Sequence, residues 1–365
     1  MKIAFFHELH KGGARRASNE FAGQLRKKHH IVNLYIVDEE VDKKESIFYD
    51  KIYLNYFKQR IWKGNDWKSK IYKDTAELYK LYMLHKRLAK EIDNEKYDLI
   101  FVQGSKYTQA PFLLRFIRTK NVYYCQEPLR MVYETELKVN PDIGFLKYNY
   151  ENFNRFIRKK LDRKNILCAD LVLANSKYTK ENIRKAYGIT AKVCYMGVDT
   201  KVFKPEKIKK TNDVLFIGAY GYMDGYPLLK KIIAISRHRY NLVVLASERK
   251  WIDNDRELGK LYSKSKLALA LGVNEPFGLI PLEAMACGLP VIAVDDGGYK
   301  ESVLSEKTGY LVQRNPQAIS DKINYMLSNK EILKKMSASA RSLVVDNWTW
   351  EKNAGKLEKI LKNLK

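Results

Sequence analysis

The stretch LALALGVNEPFGLIPLEAMACGLPVIAVDDGGYKESV, residues 267–303, decides how the rest of the chain is read. LALALGV (267–273) is a short, wholly apolar run, as expected of a parallel strand buried on both faces. The loop Asn274-Glu275-Pro276-Phe277-Gly278 follows, and LIPLEAMAC reads as a helix stopped by Gly288. A helix that opens directly after a strand presents free backbone N–H groups and the positive end of its dipole, which suits an anion. Gly278, with no side chain, permits close approach there. Glu275 stands in the loop and Glu283 one to two turns into the helix, so both carboxylates are expected to face one ligand. Carboxylates accept well from sugar hydroxyls. The plainer reading is that a glutamate near a helix start complements the dipole.

Working outward, apolar β-branched runs alternate with amphipathic ones. In the first half strands are predicted at 2–6, 31–37, 98–104, 121–126, 171–175 and 192–196. Helices fall near 16–28, 72–92, 107–118, 148–167 and 177–187. The polar, basic stretch 199–212, with Pro205, reads as a linker. Strands resume at 213–219, 241–247, 267–273, 290–295 and 309–312. Helices near 316–328, 330–344 and 350–364 close the chain. Such βαβ alternation implies α/β architecture: two doubly wound, Rossmann-like parallel-sheet domains, 1–205 and 206–349, facing a central cleft where ligands bind. The last helix, about 350–365, is expected to pack back on the first domain.

Composition bounds the partners. The 365 residues carry a net charge of +25, with 45% hydrophobic and 12% aromatic residues. These are globular values, and the charge points to nucleic acid, an anionic membrane surface or phosphorylated substrates. No nucleic-acid-binding motif is visible, and both halves of the chain are basic, so nucleic acid is set aside. Residues 51–90 hold eleven basic residues against three acidic ones, interleaved with Tyr53, Tyr56, Phe57, Trp62, Trp67, Tyr72, Tyr79 and Tyr82. That pattern is expected to meet an anionic membrane surface through residues 51–90; the plainer reading is a solvated helix face with its aromatics in the core. Cys125, Cys168, Cys194 and Cys287 form no pair of zinc-ligand spacing and read as buried free thiols in a reducing cytoplasm. No run is apolar enough to span a membrane. Asp295-Asp296 and Asp253-x-Asp255 are weak metal candidates, and no metal is expected.

EPFGLIPLEAMACGLPVIA (275–293) resembles the signature of the GT-B glycosyltransferases, specifically retaining family 4 (GT4, glycosyl transferases group 1). ADLVLANSKYTKENIRKAYG with KVCYMGVDTKVFKP (169–205) and HKGGARR (10–16) resemble it too, so the likeness covers nearly the entire chain. It implies a hexosyltransferase moving sugar from a GDP- or UDP-hexose to a hydroxyl acceptor, a glycan or lipid-linked saccharide, at the cytoplasmic face of a membrane. By this likeness Glu275 holds the transferred sugar and Glu283 the ribose. The backbone of Phe277, Gly278 and Leu279 meets sugar and diphosphate, and Glu301 lies near the donor. Gly12, Gly13 and Arg15 belong to the N-domain loop lining the donor or acceptor side, and Gln126, catalytic with Glu275 by this likeness, stands where many relatives carry a sugar-contacting His. Glu127 and Arg130 fall on the acceptor side.

Departures are visible. In the run Gly218–Gly225, Ala219 and Asp224 stand where the family has the Arg and Lys that neutralise the diphosphate. Arg249, Lys250, Arg15 and Arg16 are the substitute cations, with Gly218 and Arg249 on the donor side. The second reading is therefore a non-catalytic relative that binds a nucleotide sugar or glycan, or scaffolds a partner enzyme.

Overall fold

The computed structural model describes residues 1–59, 67–236, 240–246, 252 and 254–364. The chain divides into two compact units. One is Met1–Asn175 with Thr179–Cys194 and Ala354–Lys365; the other is Ser176–Tyr178 with Tyr195–Asn353.

The first unit contains β1 (Lys2–Glu8), α1 (Gly13–Lys27), β2 (Ile31–Asp38), β3 (Lys51–Tyr56), α2 (Trp67–Tyr72) and, through a π turn, α3 (Leu78–Asn94). Then come β4 (Leu99–Ser105), β5 (Asn121–Cys125), α4 (Arg130–Tyr133), α5 (Phe145–Ile166), β6 (Leu171–Ala174), α6 (Lys177–Tyr187) and β7 (Lys192–Val193). The strands are parallel and ordered β3-β2-β1-β4-β5-β6-β7. Ile3, Ala4, Phe5 and Phe6 of the central β1 are all buried, because helices cover both faces of a doubly wound sheet.

The second unit contains β8 (Asn212–Gly218), α7 (Tyr226–Ser236), β9 (Leu242–Ala246), α8 (Asp255–Lys264), β10 (Ser265–Ala270), α9 (Leu279–Ala286) and β11 (Val291–Val294). It continues with α10 (Tyr299–Ser302), β12 (Gly309–Val312), α11 (Pro316–Ser328) and α12 (Lys330–Asn347). The last helix, α13 (Trp350–Lys362), starts in this unit and from Ala354 onward belongs to the first. Its parallel strands run β12-β11-β10-β8-β9. The chain leaves β8 toward β9 and then crosses back to β10. The carboxyl ends of β8 and β10 therefore flank the switch point, where open α/β sheets bind ligands.

Three expectations change. KIYLNY (51–56), read within a basic aromatic stretch, is the half-exposed edge strand β3, paired among the described residues with β2 alone. The predicted helix 107–118 shrinks to a short 3-10 turn, Phe112–Arg115. Phe112, Leu113 and Leu114 are buried in succession there, which no one-sided helix allows. Cys168, beyond the end of α5, is exposed; the other three thiols are buried as expected. No helix among the described residues is long and apolar enough to cross a membrane.

His7, on β1, is fully buried, and neither ring nitrogen has a hydrogen-bond partner among the described residues. Burial, opposed by Glu45 and aided by Arg15, holds its pKa down to about 4, against an ordinary 6.5. The folded protein thus keeps His7 neutral where the unfolded chain protonates it. Stability is lost as pH falls through that interval, by about 3 kcal/mol at most for this group. Chemical denaturation at about pH 7 and about pH 4 is expected to show a smaller acid loss in His7→Leu than in the parent, by that amount.

Candidate functional site

β10 delivers the chain to the carboxyl edge of the second sheet, and Leu271–Gly278 turns it into α9. Gly278 is the N-cap at φ 86°, and among the described residues no side chain caps the helix. Asn274, at φ 50°, makes the preceding sharp turn. Glu283 is the fifth residue of α9 and only 2% exposed; its carboxylate accepts a 3.0 Å hydrogen bond from the Tyr262 hydroxyl on α8. Glu275 is half-buried beside the enclosed Tyr299. Burial first, and then the Glu275 carboxylate, push the Tyr299 hydroxyl far above its ordinary range, so it remains a neutral donor.

Neighbouring loops grip this turn. Val273 N–H donates to the Met223 carbonyl (2.8 Å), and Gly298 N–H to the Glu275 carbonyl (2.7 Å). Gly225, at φ 82°, lies so close to the Leu271 carbonyl that a Cβ would collide with it. Arg314 completes the clamp. Its Nη1 donates to Leu271 O (2.8 Å), and its Nη2 to Gly272 O (2.6 Å) and to an Asp296 carboxylate oxygen (3.2 Å). That same oxygen accepts from Asn274 N–H at 3.1 Å. Sequence reasoning missed Arg314; its one signal was a basic residue just past the carboxyl end of β12. Asp295 pairs with Lys300.

Other expected residues have different surroundings. Glu301, expected near the donor, accepts from the backbone N–H groups of Lys177 (3.0 Å) and Tyr178 (2.9 Å) and from the Tyr195 hydroxyl (2.7 Å). The adjacent Ser176 hydroxyl donates to the Pro276 carbonyl at 2.6 Å. Glu301 therefore anchors the segment that holds the site loop. Gly218 ends β8, and Asp224 folds back on its own turn, its Oδ2 3.1 Å from where a Cβ on Gly221 would stand. Arg249 and Lys250 lie outside the described residues, as do Asp253 and Trp62.

In the first unit Gln126, past the end of β5, donates to Ala14 O (3.3 Å) and to Gln103 Oε1 (3.0 Å). This brings it beside the Gly12-Gly13 loop. Gly12 is the N-cap of α1, with open space where a side chain would be. Arg15 is not available as a substitute cation: its buried guanidinium is held by Glu45 (2.7 and 2.8 Å) and Asp38 (2.9 Å). It lines a cavity of about 580 Å³ with His10, Lys11, Asp38, Tyr56 and Lys106, at the carboxyl ends of β1 to β4. Arg130 is bound to Glu134 (2.7 Å), with Glu127 at 3.7 Å.

Residues 11–202 match the pattern of Glycosyltransferase Family 4, and residues 250–343 that of Glycosyl transferases group 1. The chain belongs to glycosyltransferase family 4. An uncharacterised glycosyltransferase of Methanocaldococcus jannaschii is 25% identical over 54% of this chain and 60% of its own length. The N-acetyl-alpha-D-glucosaminyl L-malate synthase of Bacillus anthracis is 35% identical over 28% of this chain and 27% of its own. This chain thus spans about a quarter to three-fifths of the length of these relatives. Among solved structures, sucrose-phosphate synthase from Thermosynechococcus elongatus superposes with a TM-score of 0.73 at 16% identity, covering 100% of this chain and 98% of that one. Anabaena HepE, in complex with UDP and glucose, gives 0.70 at 18%, covering 99% of both. These likenesses establish the GT-B fold that the family 4 signature implied.

The clamp on the site loop is testable. Gly225→Ala places a methyl against the Leu271 carbonyl, whereas Gly144→Ala, also at positive φ (92°), meets open space. Both carry a backbone penalty of about 1–3 kcal/mol. Denaturant titration is expected to show Gly225→Ala as clearly the more destabilised of the two.

Proposed function

We propose that this chain is a retaining glycosyltransferase that moves a hexose from a nucleotide diphosphate sugar to a hydroxyl of a glycan or lipid-linked saccharide. The observation that carries the reading is the β10–α9 junction. It unites a half-buried carboxylate (Glu275), a left-handed glycine (Gly278), an N-terminus without a side-chain cap, and a buried carboxylate oriented by a tyrosine (Glu283). In this reading the N–H groups at the start of α9 receive the diphosphate, standing in for the cations absent at Ala219 and Asp224. Backbone contacts from Phe277, Gly278 and Leu279 place the sugar, Glu275 accepts from its hydroxyls, and Glu283 accepts from the ribose. Gln126 and the Gly12-Gly13 loop serve the acceptor side, with Glu127 and Arg130 shaping its border.

The reaction is a front-face displacement. The bond from the anomeric carbon to the departing phosphate oxygen breaks as the acceptor oxygen bonds to that carbon on the same face. The acceptor's proton passes to the leaving phosphate. The protein then supplies positioning and charge stabilisation rather than a base of its own, and no metal is required. HepE, similar in fold, binds UDP-glucose, and a GDP-mannose-dependent mannosyltransferase of Mycolicibacterium smegmatis is 35% identical over 24% of this chain. Both support a nucleotide-sugar donor of either base. The reading places the protein in the cytoplasm, peripheral on the inner face of the membrane.

Glu275→Ala and Glu283→Ala are each expected to lower transfer to a matched acceptor by about 100-fold or more, with the fold retained by circular dichroism. Unchanged transfer in both variants would show that the site lies elsewhere. Tight binding of nucleotide sugar by the parent with no turnover on a broad acceptor panel would instead favour a non-catalytic binder.

A further inference from the structure

The aromatics of residues 51–90 do not form one outward face. Tyr53 stacks on Tyr35 (4.6 Å between ring centres), Phe57 packs edge-on to Tyr107 (5.3 Å), and Tyr82 lies against Phe112 and Phe116 (5.4 and 4.9 Å). These rings serve the first unit's own packing. The unpartnered apolar surface lies mainly on α5.

Over its first half that helix is inverted; toward its end Leu161 and Ile166 turn into the first unit's core. Its inner face is polar: Tyr150, Asn154 and Arg158 all bond the Asp74 carboxylate (3.0, 2.6 and 2.7 Å), and Glu151 pairs with Lys70. Further along, Asp162 accepts from Ala110 N–H and Asn165 donates to the Ala110 carbonyl. Its outer face carries four large apolar side chains in the first three turns, Phe145 80%, Leu146 83%, Phe153 63% and Phe156 51% exposed, with exposed Asn149 and Asn152 between them. Helical spacing puts these four within one arc of the helix, and the same arc continues into exposed Lys159, Lys160, Arg163 and Lys164. The Lys160 ammonium lies 4.4 Å from the centre of the Phe156 ring. Neighbouring α2, tied to α5 through Lys70, adds Trp67, 68% exposed, and Ile71.

Large apolar side chains turned to solvent on a helix whose polar groups are turned inward need a covering partner. We propose that this face of α5, with Trp67 and Ile71, docks on an anionic lipid bilayer. The rings and Leu146 enter the headgroup–acyl boundary, and the lysines and arginine that continue the arc meet lipid phosphates. Charge selects this occupant. The face carries basic residues on a chain of net charge +25, so a second copy would bring like charges together, whereas an anionic leaflet complements them. The docking rests on the peripheral membrane placement proposed above and names the surface that makes it; it needs neither donor nor acceptor, so its failure is distinguishable from failure of the transfer reaction.

The full chain is mixed with vesicles of phosphatidylcholine and phosphatidylglycerol, or of phosphatidylcholine alone, and sedimented at low salt. The parent is expected to partition onto the anionic vesicles and far less onto the neutral ones. Phe153→Ser/Phe156→Ser and, separately, Lys159→Glu/Lys160→Glu/Lys164→Glu are each expected to weaken partitioning about tenfold or more. Because all five side chains are exposed, the melting temperature stays unchanged. Lys330→Glu/Lys334→Glu, on α12, is expected to bind nearly as the parent does. The proposal is overturned if the parent ignores anionic vesicles, or if the double serine variant binds as well as the parent. It is equally overturned if sedimentation shows a dimer that the serine substitutions dissolve, since a second copy would then be the occupant.

Discussion

The backbone carbonyls at the end of β10 are where the second unit's architecture becomes a site. A strand ending at a switch point leaves its last carbonyls without sheet partners, and buried carbonyls need donors. Here the Arg314 guanidinium takes the carbonyls of Leu271 and Gly272, and Gly225 brings its backbone against the first of them. With these fixed, Asn274 can turn, Glu275 is held through Gly298, and Gly278 opens α9 without a side-chain cap. Ser176 fixes Pro276 from a distant part of the sequence, and Glu301 fixes the residues that follow Ser176. The loop that carries Glu275 is held by a frame of backbone contacts, whereas the Glu283 carboxylate is oriented by the Tyr262 hydroxyl.

Much of this frame was legible in the sequence where the physics is local. Continuous apolar runs such as LALA and VIAV mark parallel strands buried on both faces, and the spacing of Glu275, Gly278 and Glu283 placed a loop, a cap and a helix correctly. Long-range hydrogen bonding was not legible. Arg314 reaches back to Leu271 across 43 residues, and Glu301 reaches Lys177 across 124; nothing in either local sequence names the partner. Arg15 shows the converse. Its position in the Gly12-Gly13 loop suggested a ligand contact, yet Glu45 and Asp38 occupy it. β3 was hidden because its inward face sets Lys51 and Asn55 beside Tyr53 while Leu54 and Tyr56 stand exposed on the other, which blurs its alternation.

The excess positive charge is also divided by structure. Arg15, Arg158 and Arg314 bind carboxylates or carbonyls inside their own units. The last turns of α5 instead leave lysines and an arginine in solvent beside exposed rings. Composition assigns one sign to the whole chain, whereas the fold separates cations that hold loops from cations available to a surface. In the proposed reading the diphosphate meets backbone N–H groups and the dipole of α9, while Asp224, in the β8–α7 loop, carries negative charge.

The central claim is that this junction binds a nucleotide diphosphate sugar, and thermal unfolding tests it most directly. A ligand that binds only the folded chain adds about 2.7 kcal/mol of stability at about 100 times its Kd. In a panel of UDP- and GDP-hexoses, at least one is expected to raise the melting temperature. The same sugar without its nucleotide is expected to leave it unchanged, and Glu283→Gln to diminish the rise. If no nucleotide sugar shifts the transition, or if the shift survives intact in both Glu283→Gln and Glu275→Ala, the β10–α9 junction is not the donor site.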